Sequence, residues 1–204
     1  ITCRSGFVQY AIQQKDAEAI YLKSNSNERW PTVNKFINSK TNDIISKMKE
    51  ILPNTHTVLD VGCNTGELLD YAKSFNCTTY GIEFSSMSKD ICISKGHKII
   101  DNIDYFNSNI DAITAFDIIE HLYDVNKFME KCFKALKHSG KLIVLTGNIL
   151  SLPSKITKNR WWYVSYPEHI IFPSIFFLKS LNDWIINSWL PCYNGVMWMR
   201  PFIE

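Results

Sequence analysis

The sequence lacks several features that would assign it to particular functional classes. No long basic run is present and the formal net charge is only +2, which argues against a dedicated binder of nucleic acid or another polyanion. No stretch of about 20 apolar residues occurs, so we expect no membrane span. No two cysteines have the CxxC spacing, so we expect reduced thiols and a cytoplasmic location rather than a disulfide framework.

The chain has enough apolar residues for one folded domain. It contains 204 residues, of which 46% are hydrophobic, and can bury a substantial core. From Thr55 onward, short apolar segments alternate with segments of helical periodicity, a pattern typical of a parallel α/β sheet. The predicted strands cover residues 57–61, 78–83, 97–100, 111–116 and 141–146.

The clearest predicted helix starts at Val125, where apolar residues recur at i, i+3, i+4, i+7, i+8 and i+11. We expect Gly140 to end it. Regular patterning lapses over about residues 148–173, and such a long irregular segment in a compact domain is usually functional. Two last strands near 184–190 and 196–202 are predicted to form an antiparallel hairpin at the sheet edge.

The segment TVLDVGCNTGELLDYA, residues 57–72, predicts a buried strand, a sharp turn and a helix. The turn contains Gly62 and Gly66, with Asn64 between them. Ligands of open α/β sheets bind at the carboxyl ends of the strands, where this turn lies. Glu83 ends the next strand, and a carboxylate there can accept hydrogen bonds from a ribose diol. The alternative is a simple strand–helix turn and a surface glutamate.

The charges around this turn indicate the kind of ligand. The turn does not match the G-x-G-x-x-G fingerprint of dinucleotide-binding proteins. Asp60 precedes it and Glu67 opens the helix, so the local field is negative, whereas a pyrophosphate favours helix amides without nearby acids. The pattern favours a nucleoside that carries a positive charge, and a dinucleotide oxidoreductase is the rival from another enzyme class.

Four segments in order, VLDVGCNTGELL, YGIEFS, DAITAFDIIEHLYD and ALKHSGKLIVLTGN, resemble the successive motifs of class I S-adenosylmethionine-dependent methyltransferases. The EHL and W…PEHI segments are similar to those of sugar, quinone and other small-molecule methyltransferases. The resemblance covers about residues 55–182. It implies an α/β, Rossmann-like, seven-stranded sheet, mostly parallel with an antiparallel C-terminal strand. This domain would occupy residues 55–204, after an N-terminal helical cap in residues 1–54.

The resemblance also implies which residues contact S-adenosylmethionine. Asp60, Gly62 and Gly66 would form the loop for its methionine end, with Cys63 and Asn64 inside that loop. The other implied contacts are Glu83 for the ribose hydroxyls, Phe84 for the adenine ring, Asp101 or Asn102 for the adenine amino group, and Phe116 and Asp117 beside the sulfonium and the substrate. Asn64 departs from the commonest family pattern, G-C-G. Because asparagine tolerates left-handed backbone geometry, we expect the turn to survive.

The implied reaction transfers a methyl group to a small-molecule or glycan acceptor, with a hydroxyl as the expected atom. A hydroxyl must lose its proton, and a histidine is suited to take it. His121 and His169 are the candidates, although His121 has the alternative role of anchoring a helix start. The remaining histidines, His56, His97 and His138, are expected at the surface.

Asp117, Glu120 and His121 resemble the acid-x-x-Glu-His metal site of some quinone O-methyltransferases, but we expect no metal. In the irregular segment, Trp161, Trp162 and Tyr163 are expected to form a substrate lid. The alternative is that the two tryptophans fill core. Two functional rivals stay open: methylation of a nitrogen or carbon atom, and an inactive methyltransferase fold that serves as a binding subunit.

Overall fold

A computed structural model of the chain describes residues 6–7, 13, 15–16, 48–50, 52–164, 168–181, 184–190 and 196–201. The strands, numbered along the chain, are β1 Gly6–Phe7, β2 Thr57–Val61, β3 Thr78–Ile82, β4 Lys98–Ile99, β5 Ile110–Phe116, β6 Leu136–Leu145, β7 Ile171–Phe172, β8 Trp184–Leu190 and β9 Val196–Pro201. The helices are α1 Glu67–Lys73, α2 Ser86–Ser94, α3 Val125–Ala135, α4 Leu152–Thr157 and α5 Ile175–Lys179.

Seven of these strands form one sheet in the order β4-β3-β2-β5-β6-β9-β8. The first five in that order pair in parallel, whereas β9 pairs antiparallel with both β6 and β8. This confirms the predicted mostly parallel sheet with a reversed strand near its edge. In register, Val61 lies beside Ile82, and Phe116 lies beside Leu145, so the carboxyl ends of β2, β3, β5 and β6 share one edge.

The core divides between the two faces of the sheet because successive strand residues point in opposite directions. Leu59 and Ile113 belong to the cluster on the face that α3 covers, through Phe128 and other residues. Their neighbours Val58 and Ala112 belong to a second cluster. Helix α1 contributes Ala72 to that cluster, and Met48 and Leu52 also lie in it. Helices therefore cover both faces, as expected for parallel strands joined by crossovers.

Helix α3 ends earlier than predicted. It stops at Ala135, and β6 begins at once with Leu136 rather than after Gly140. The carbonyl of Lys134 accepts the N–H of Ser108 at 2.8 Å, and the carbonyl of Ala135 accepts the N–H of Asn109 at 3.1 Å. The segment before β5 thus satisfies carbonyls that a longer helix would use. Those bonds come from a segment that is distant in sequence.

The described residues of the segment at 148–173 contain regular elements that were not predicted. Ser151 caps α4, which begins with a proline in its first turn, as helices tolerate. A 3₁₀ turn follows at Lys158–Arg160, and β7 then pairs antiparallel with β1. This pairing is a contact between distant parts of the chain, which local patterning cannot indicate.

Most of the predicted N-terminal helical cap, residues 1–54, lies outside the described residues. Within them, Met48 and Leu52 are fully buried in the same cluster as Val58. Among the helices that the structure describes, none has the length and hydropathy to cross a membrane.

Candidate active site

The glycine turn closes against the end of β3. The N–H groups of Gly62 and Cys63 both donate to the carbonyl of Ile82, at 2.8 and 3.1 Å. Gly62 has a φ of +75°, and a Cβ there would lie 2.3 Å from Cδ1 of Ile118. The positive φ therefore favours glycine at this position, and any larger residue would also displace the end of the Ile118 side chain.

Asn64 adopts the left-handed conformation expected for it, with a φ of +47°. Its N–H donates to Oε2 of Glu83 at 2.9 Å. Its side-chain oxygen accepts the hydroxyl hydrogen of Ser88 at 3.2 Å, and its carbonyl accepts the thiol hydrogen of Cys92 at 3.1 Å. These two hydrogen bonds join the glycine turn to α2, a role of Asn64 that was not predicted from the sequence.

The carboxylate of Glu83 is half-buried and holds three backbone amides. Besides the N–H of Asn64 on Oε2, the N–H groups of Phe84 and Ser85 donate to Oε1 at 2.7 and 2.8 Å. A carboxylate offers about four lone-pair sites. The remaining one is on Oε2, at the edge of the sheet beside the glycine turn.

Asp60 adds a second carboxyl group to the same edge. It is buried, and the hydroxyl of Thr114 donates to its Oδ1 at 2.6 Å. Burial, together with the nearby charges of Glu83 and Glu67, raises the pKa of Asp60 to about 7. The mutual repulsion of these acids would be relieved by a cation, which agrees with the negative field expected from the sequence.

His97 packs against the glycine turn and is buried, so the prediction that it lies at the surface is wrong. Its Nε2 lies 3.0 Å from Oδ1 of Asp70 while its Nδ1 lies 2.8 Å from the hydroxyl of Thr79. A Cβ on Gly66 would lie 3.0 Å from the His97 ring. The preceding residue, Gly96, has a φ of +82° and turns the chain inward after α2.

A second polar cluster lies at the carboxyl ends of β5 and β6. The hydroxyl of Tyr163 contacts Oε1 of Glu120 and lies 3.1 Å from Oδ1 of Asp117. Thr146 donates to Oε2 of Glu120 at 2.9 Å. The Tyr163 ring rests on Gly147, where a Cβ would lie only 2.2 Å from it. Because Gly147 has no side chain, the Tyr163 ring can pack directly on it. This packing places the tyrosine hydroxyl against Asp117 and Glu120, which are distant from it in sequence.

Protonation in this cluster follows from burial. Glu120 is fully buried, and burial together with the charge of Asp117 raises its pKa to about 8. The protonated form of Glu120 is therefore favoured near neutral pH. The tyrosine hydroxyl has one hydrogen, so it can donate to Asp117 while its oxygen accepts a hydrogen bond from the protonated carboxyl group of Glu120.

His121 and His169 come together at this cluster, with ring centroids 4.7 Å apart in an edge-to-face contact. Nδ1 of His121 lies 2.8 Å from the carbonyl of Glu168, and Nδ1 of His169 lies 2.6 Å from the carbonyl of Tyr163. A carbonyl only accepts, so both Nδ1 atoms carry hydrogen. Burial lowers the pKa of His121 to about 4, and burial together with the neighbouring His121 lowers that of His169 to about 4. Both imidazoles are neutral at pH 7.

The family model described as a methyltransferase domain matches residues 33–184 of this chain, which is most of its length. The chain belongs to the methyltransferase-domain family. This confirms the resemblance to class I S-adenosylmethionine-dependent methyltransferases. The expectation that the cofactor is S-adenosylmethionine was based on that resemblance.

Curated relatives match just under half of this chain. The mitochondrial ubiquinone biosynthesis O-methyltransferase of Bos taurus is 28% identical over 107 residues, which cover 45% of this chain and 28% of the relative. The ubiquinone biosynthesis O-methyltransferase of Bartonella tribocorum is 32% identical over 103 residues, covering 45% of this chain and 41% of the relative. The matched part thus spans less than half the length of either relative.

Solved methyltransferase structures share the fold across nearly the whole chain. The Burkholderia thailandensis 1,6-didemethyltoxoflavin-N1-methyltransferase, with bound 1,6-didemethyltoxoflavin and S-adenosylhomocysteine, superposes with a TM-score of 0.71 at 10% identity, covering 98% of this chain and 95% of its own. The Synechocystis magnesium protoporphyrin IX methyltransferase with bound S-adenosylhomocysteine gives 0.66 at 12% identity, covering 92% and 94%. At these identities the likeness concerns the fold alone.

Other predicted cofactor residues of the methyltransferase domain lie along the same sheet edge. Phe84 follows Glu83 and is 57% exposed. Asp101 and Asn102 line a shallow depression of about 280 Å³ beyond β4, and the Asn102 side chain accepts the N–H of Asp104. Phe116 is half-buried at the end of β5.

The three predicted lid residues lie in different environments. Trp161 and Tyr163 are buried in a small cluster with Phe172, so for Trp161 the alternative of filling core is correct. Trp162 is exposed, and its ring packs at a right angle on Tyr163. His121 and His169, the two candidate general bases, were both predicted from the sequence as candidates. The bond of Tyr163 to Glu120 was missed, because a buried tyrosine hydroxyl leaves no pattern in the sequence.

Proposed function

We propose that this protein uses S-adenosylmethionine to methylate a hydroxyl group of a small-molecule or glycan acceptor. One observation carries the proposal: two neutral imidazoles, His121 and His169, stand at the same sheet edge as an acidic glycine turn. The turn suits a cationic nucleoside, and a neutral imidazole suits the removal of a hydroxyl proton.

The residues of the turn fit the cofactor by charge, hydrogen bonding and exposed apolar surface. The remaining lone pair on Oε2 of Glu83 is available to one ribose hydroxyl. The exposed ring of Phe84 offers an apolar face for adenine. Asp60, with Glu67 and Glu83 nearby, provides negative potential for a ligand that carries a sulfonium.

S-adenosylmethionine supplies an electrophilic methyl group, whose bond to sulfur breaks, with the electron pair passing to sulfur, as the bond to the acceptor oxygen forms. The protein's part is to hold the acceptor in line and to take its proton. His121, which is half-buried, would receive the proton on Nε2, since Nδ1 already carries hydrogen. His169 would keep His121 in place through their ring contact.

The basicity of the pair favours a particular kind of hydroxyl. A histidine with a pKa of about 4 is a weak base. A phenol, with a pKa near 10 as in tyrosine, gives up its proton far more readily than an alkyl alcohol. We therefore place a phenolic or similarly acidic hydroxyl first and a sugar hydroxyl second. The names of the curated relatives, O-methyltransferases of ubiquinone biosynthesis, support an oxygen acceptor.

We propose that this reaction proceeds without a metal. Glu120, His121 and His169 each offer a ligand atom, and these atoms lie within 4.8 Å of one another. However, both carboxyl oxygens of Glu120 are engaged by the hydroxyls of Tyr163 and Thr146. Metal analysis of protein purified without chelator tests this. A stoichiometric divalent ion, with activity abolished by EDTA, would overturn it.

Calorimetric titration with S-adenosylhomocysteine, NAD and NADP tests the cofactor. We expect only S-adenosylhomocysteine to bind, and binding of NAD or NADP instead would favour an oxidoreductase. A transfer assay with labelled methyl groups then compares phenols, quinols, sugars and amines. Labelling of amines alone would favour the N-methyltransferase alternative. Cofactor binding with no transfer to any acceptor would favour a binding subunit.

A further inference from the structure

An exposed surface on the segment after β6 combines apolar and basic side chains. On α4, Leu152 and Ile156 are each 70% exposed, and Trp162 after the 3₁₀ turn is 52% exposed. Residues of these types are usually buried. Lys155, Lys158 and Arg160 lie exposed among them. We call these six residues the basic apolar face.

The local structure holds the apolar side chains of this face toward solvent. Leu152 and Ile156 are four residues apart on α4, so they share one side of the helix. Ser151 caps the start of α4, and the hydroxyl of Thr157 bonds the carbonyl of Pro153 at its end. Trp161 then anchors the chain in the buried cluster with Tyr163 and Phe172. The exposure of this face therefore results from a short helix secured at both ends.

The charge of this face is concentrated and of one sign. Between Gly147 and Tyr163 the sequence contains Lys155, Lys158 and Arg160 and no acidic residue, which gives a local formal charge of +3. The whole chain has a formal net charge of +2, so the rest of the molecule is slightly negative. An anionic partner would be attracted to this face and not to the protein in general.

We propose that the basic apolar face binds the surface of an anionic lipid bilayer. Leucine, isoleucine and tryptophan side chains that project from a short helix can enter the boundary between headgroups and acyl chains. Lysine and arginine beside them meet the anionic headgroups while their stems lie against apolar surface. A purely polar polyanion would leave the apolar side chains exposed, and a neutral protein groove would leave the three cations without partners.

The position of the face connects it to the polar cluster. The ring of Trp162 packs on that of Tyr163 with centroids 5.4 Å apart, and Tyr163 bonds Asp117 and Glu120. Binding through this face would therefore hold the polar cluster beside the bilayer surface. The binding itself does not depend on the reaction proposed above.

Co-sedimentation of the 204-residue chain with sucrose-loaded vesicles tests the proposal. One set of vesicles contains phosphatidylcholine alone, and the other an equal mixture of phosphatidylcholine and phosphatidylglycerol. We expect sedimentation with the anionic vesicles, release by added salt, and little binding to the neutral ones.

Matched variants separate the two components of the face. Ile156→Ser should weaken partitioning by about tenfold, whereas Ile93→Ser, whose side chain is 56% exposed on α2, should not. Lys155→Gln with Lys158→Gln should weaken binding to anionic vesicles by roughly tenfold or more. Lys49→Gln with Lys127→Gln, which removes two exposed lysines elsewhere, should have a much smaller effect.

Three results would overturn the proposal. They are failure to sediment with anionic vesicles, equal effects of the test and control variants, and a dimer that Ile156→Ser converts to monomer without any vesicle binding. The last result would make a second copy of the chain the partner of this face. Titration of S-adenosylhomocysteine in parallel distinguishes failure of the bilayer proposal from failure of the proposed methyltransferase function. A chain that binds S-adenosylhomocysteine but no vesicles contradicts only the bilayer proposal.

Discussion

The backbone N–H of Asn64 donates to Oε2 of Glu83 across 2.9 Å and joins the glycine turn to the end of β3. Two further amides, of Phe84 and Ser85, hold the other oxygen of the same carboxylate. The turn and the acid therefore form one preorganised unit, and a ligand that binds both need not order either of them.

Glu83→Gln should impair both binding and stability. The amide has a single oxygen, so one of its ends would turn an N–H₂ group toward a backbone N–H. We expect roughly 10–100-fold weaker binding of S-adenosylhomocysteine, the loss typical of hydrogen bonds to a charged group, together with a lower melting temperature. Calorimetry and thermal denaturation measure these effects. Glu130→Gln, at an exposed position on α3, is the control, and unchanged affinity in Glu83→Gln would remove Glu83 from the site.

Asn64→Gly should leave the affinity for S-adenosylhomocysteine within a few-fold, because glycine adopts the same left-handed geometry and keeps the N–H that Glu83 accepts. Asn64→Val should weaken it strongly, since a β-branched residue strains at a φ of +47°. Ser88→Ala removes the hydrogen bond from the Ser88 hydroxyl to the Asn64 side chain and leaves the residue type at position 64 unchanged. A large loss of affinity in both Asn64→Gly and Ser88→Ala would mean that this bond, and not the backbone geometry, maintains the turn.

His121→Ala should lower kcat by roughly 10²–10⁴-fold, the usual contribution of a general base. His169→Ala should lower kcat by a smaller factor, because His169 acts by positioning His121 through their ring contact. The dissociation constant of S-adenosylhomocysteine should stay within a few-fold, because neither histidine lies at the glycine turn. Single-turnover kinetics and calorimetry measure the two quantities separately. His138→Ala, at an exposed position, serves as the control. An equal loss of nucleoside binding would show that the pair belongs to the cofactor site instead.

Stability should fall as the pH rises from about 6.5 to about 8. In the folded state the pKa of Asp60 is raised from 3.8 to about 7 and that of Glu120 from 4.5 to about 8. The folded protein thus retains protons that the unfolded chain has lost, which makes stability decrease with pH in those windows. His121 and His169, lowered from 6.5 to about 4, have the opposite effect between those values. Above pH 6.5 the carboxyl groups act alone.

Urea denaturation at several pH values measures this slope. We expect a decrease in the free energy of unfolding on the order of 1–3 kcal/mol over that window. Asp60→Asn should flatten the part of the slope below about pH 7, since an amide does not titrate and can still accept from Thr114. A slope identical in Asp60→Asn and the unchanged protein would show that Asp60 titrates elsewhere.

Elements fixed by short-range patterns were predicted well. The strand at 57–61 and the strand at 184–190 have the predicted bounds, and the helix from Val125 begins where its apolar periodicity begins. The glycine turn, its left-handed Asn64 and the acids around it were also predicted. Each depends on residue type and local spacing, which the sequence states directly.

Elements that depend on distant partners were missed or misplaced. The end of α3 depends on hydrogen bonds from Ser108 and Asn109. Strand β1 pairs with β7, which is distant in sequence. His97 is buried because its ring bonds Asp70 and Thr79. The low net charge also concealed the basic apolar face, because a sum over the chain does not show where charges meet.

The sequence by itself determined the sheet, the position of the glycine turn and the sign of the potential around that turn, since strand periodicity, glycine spacing and acidic residues all act locally. Only the tertiary structure decided that Tyr163 reaches Glu120 and that His121 meets His169 as a neutral imidazole. Those outcomes depend on burial and on close packing against Gly147, which arise only when segments distant in sequence come together.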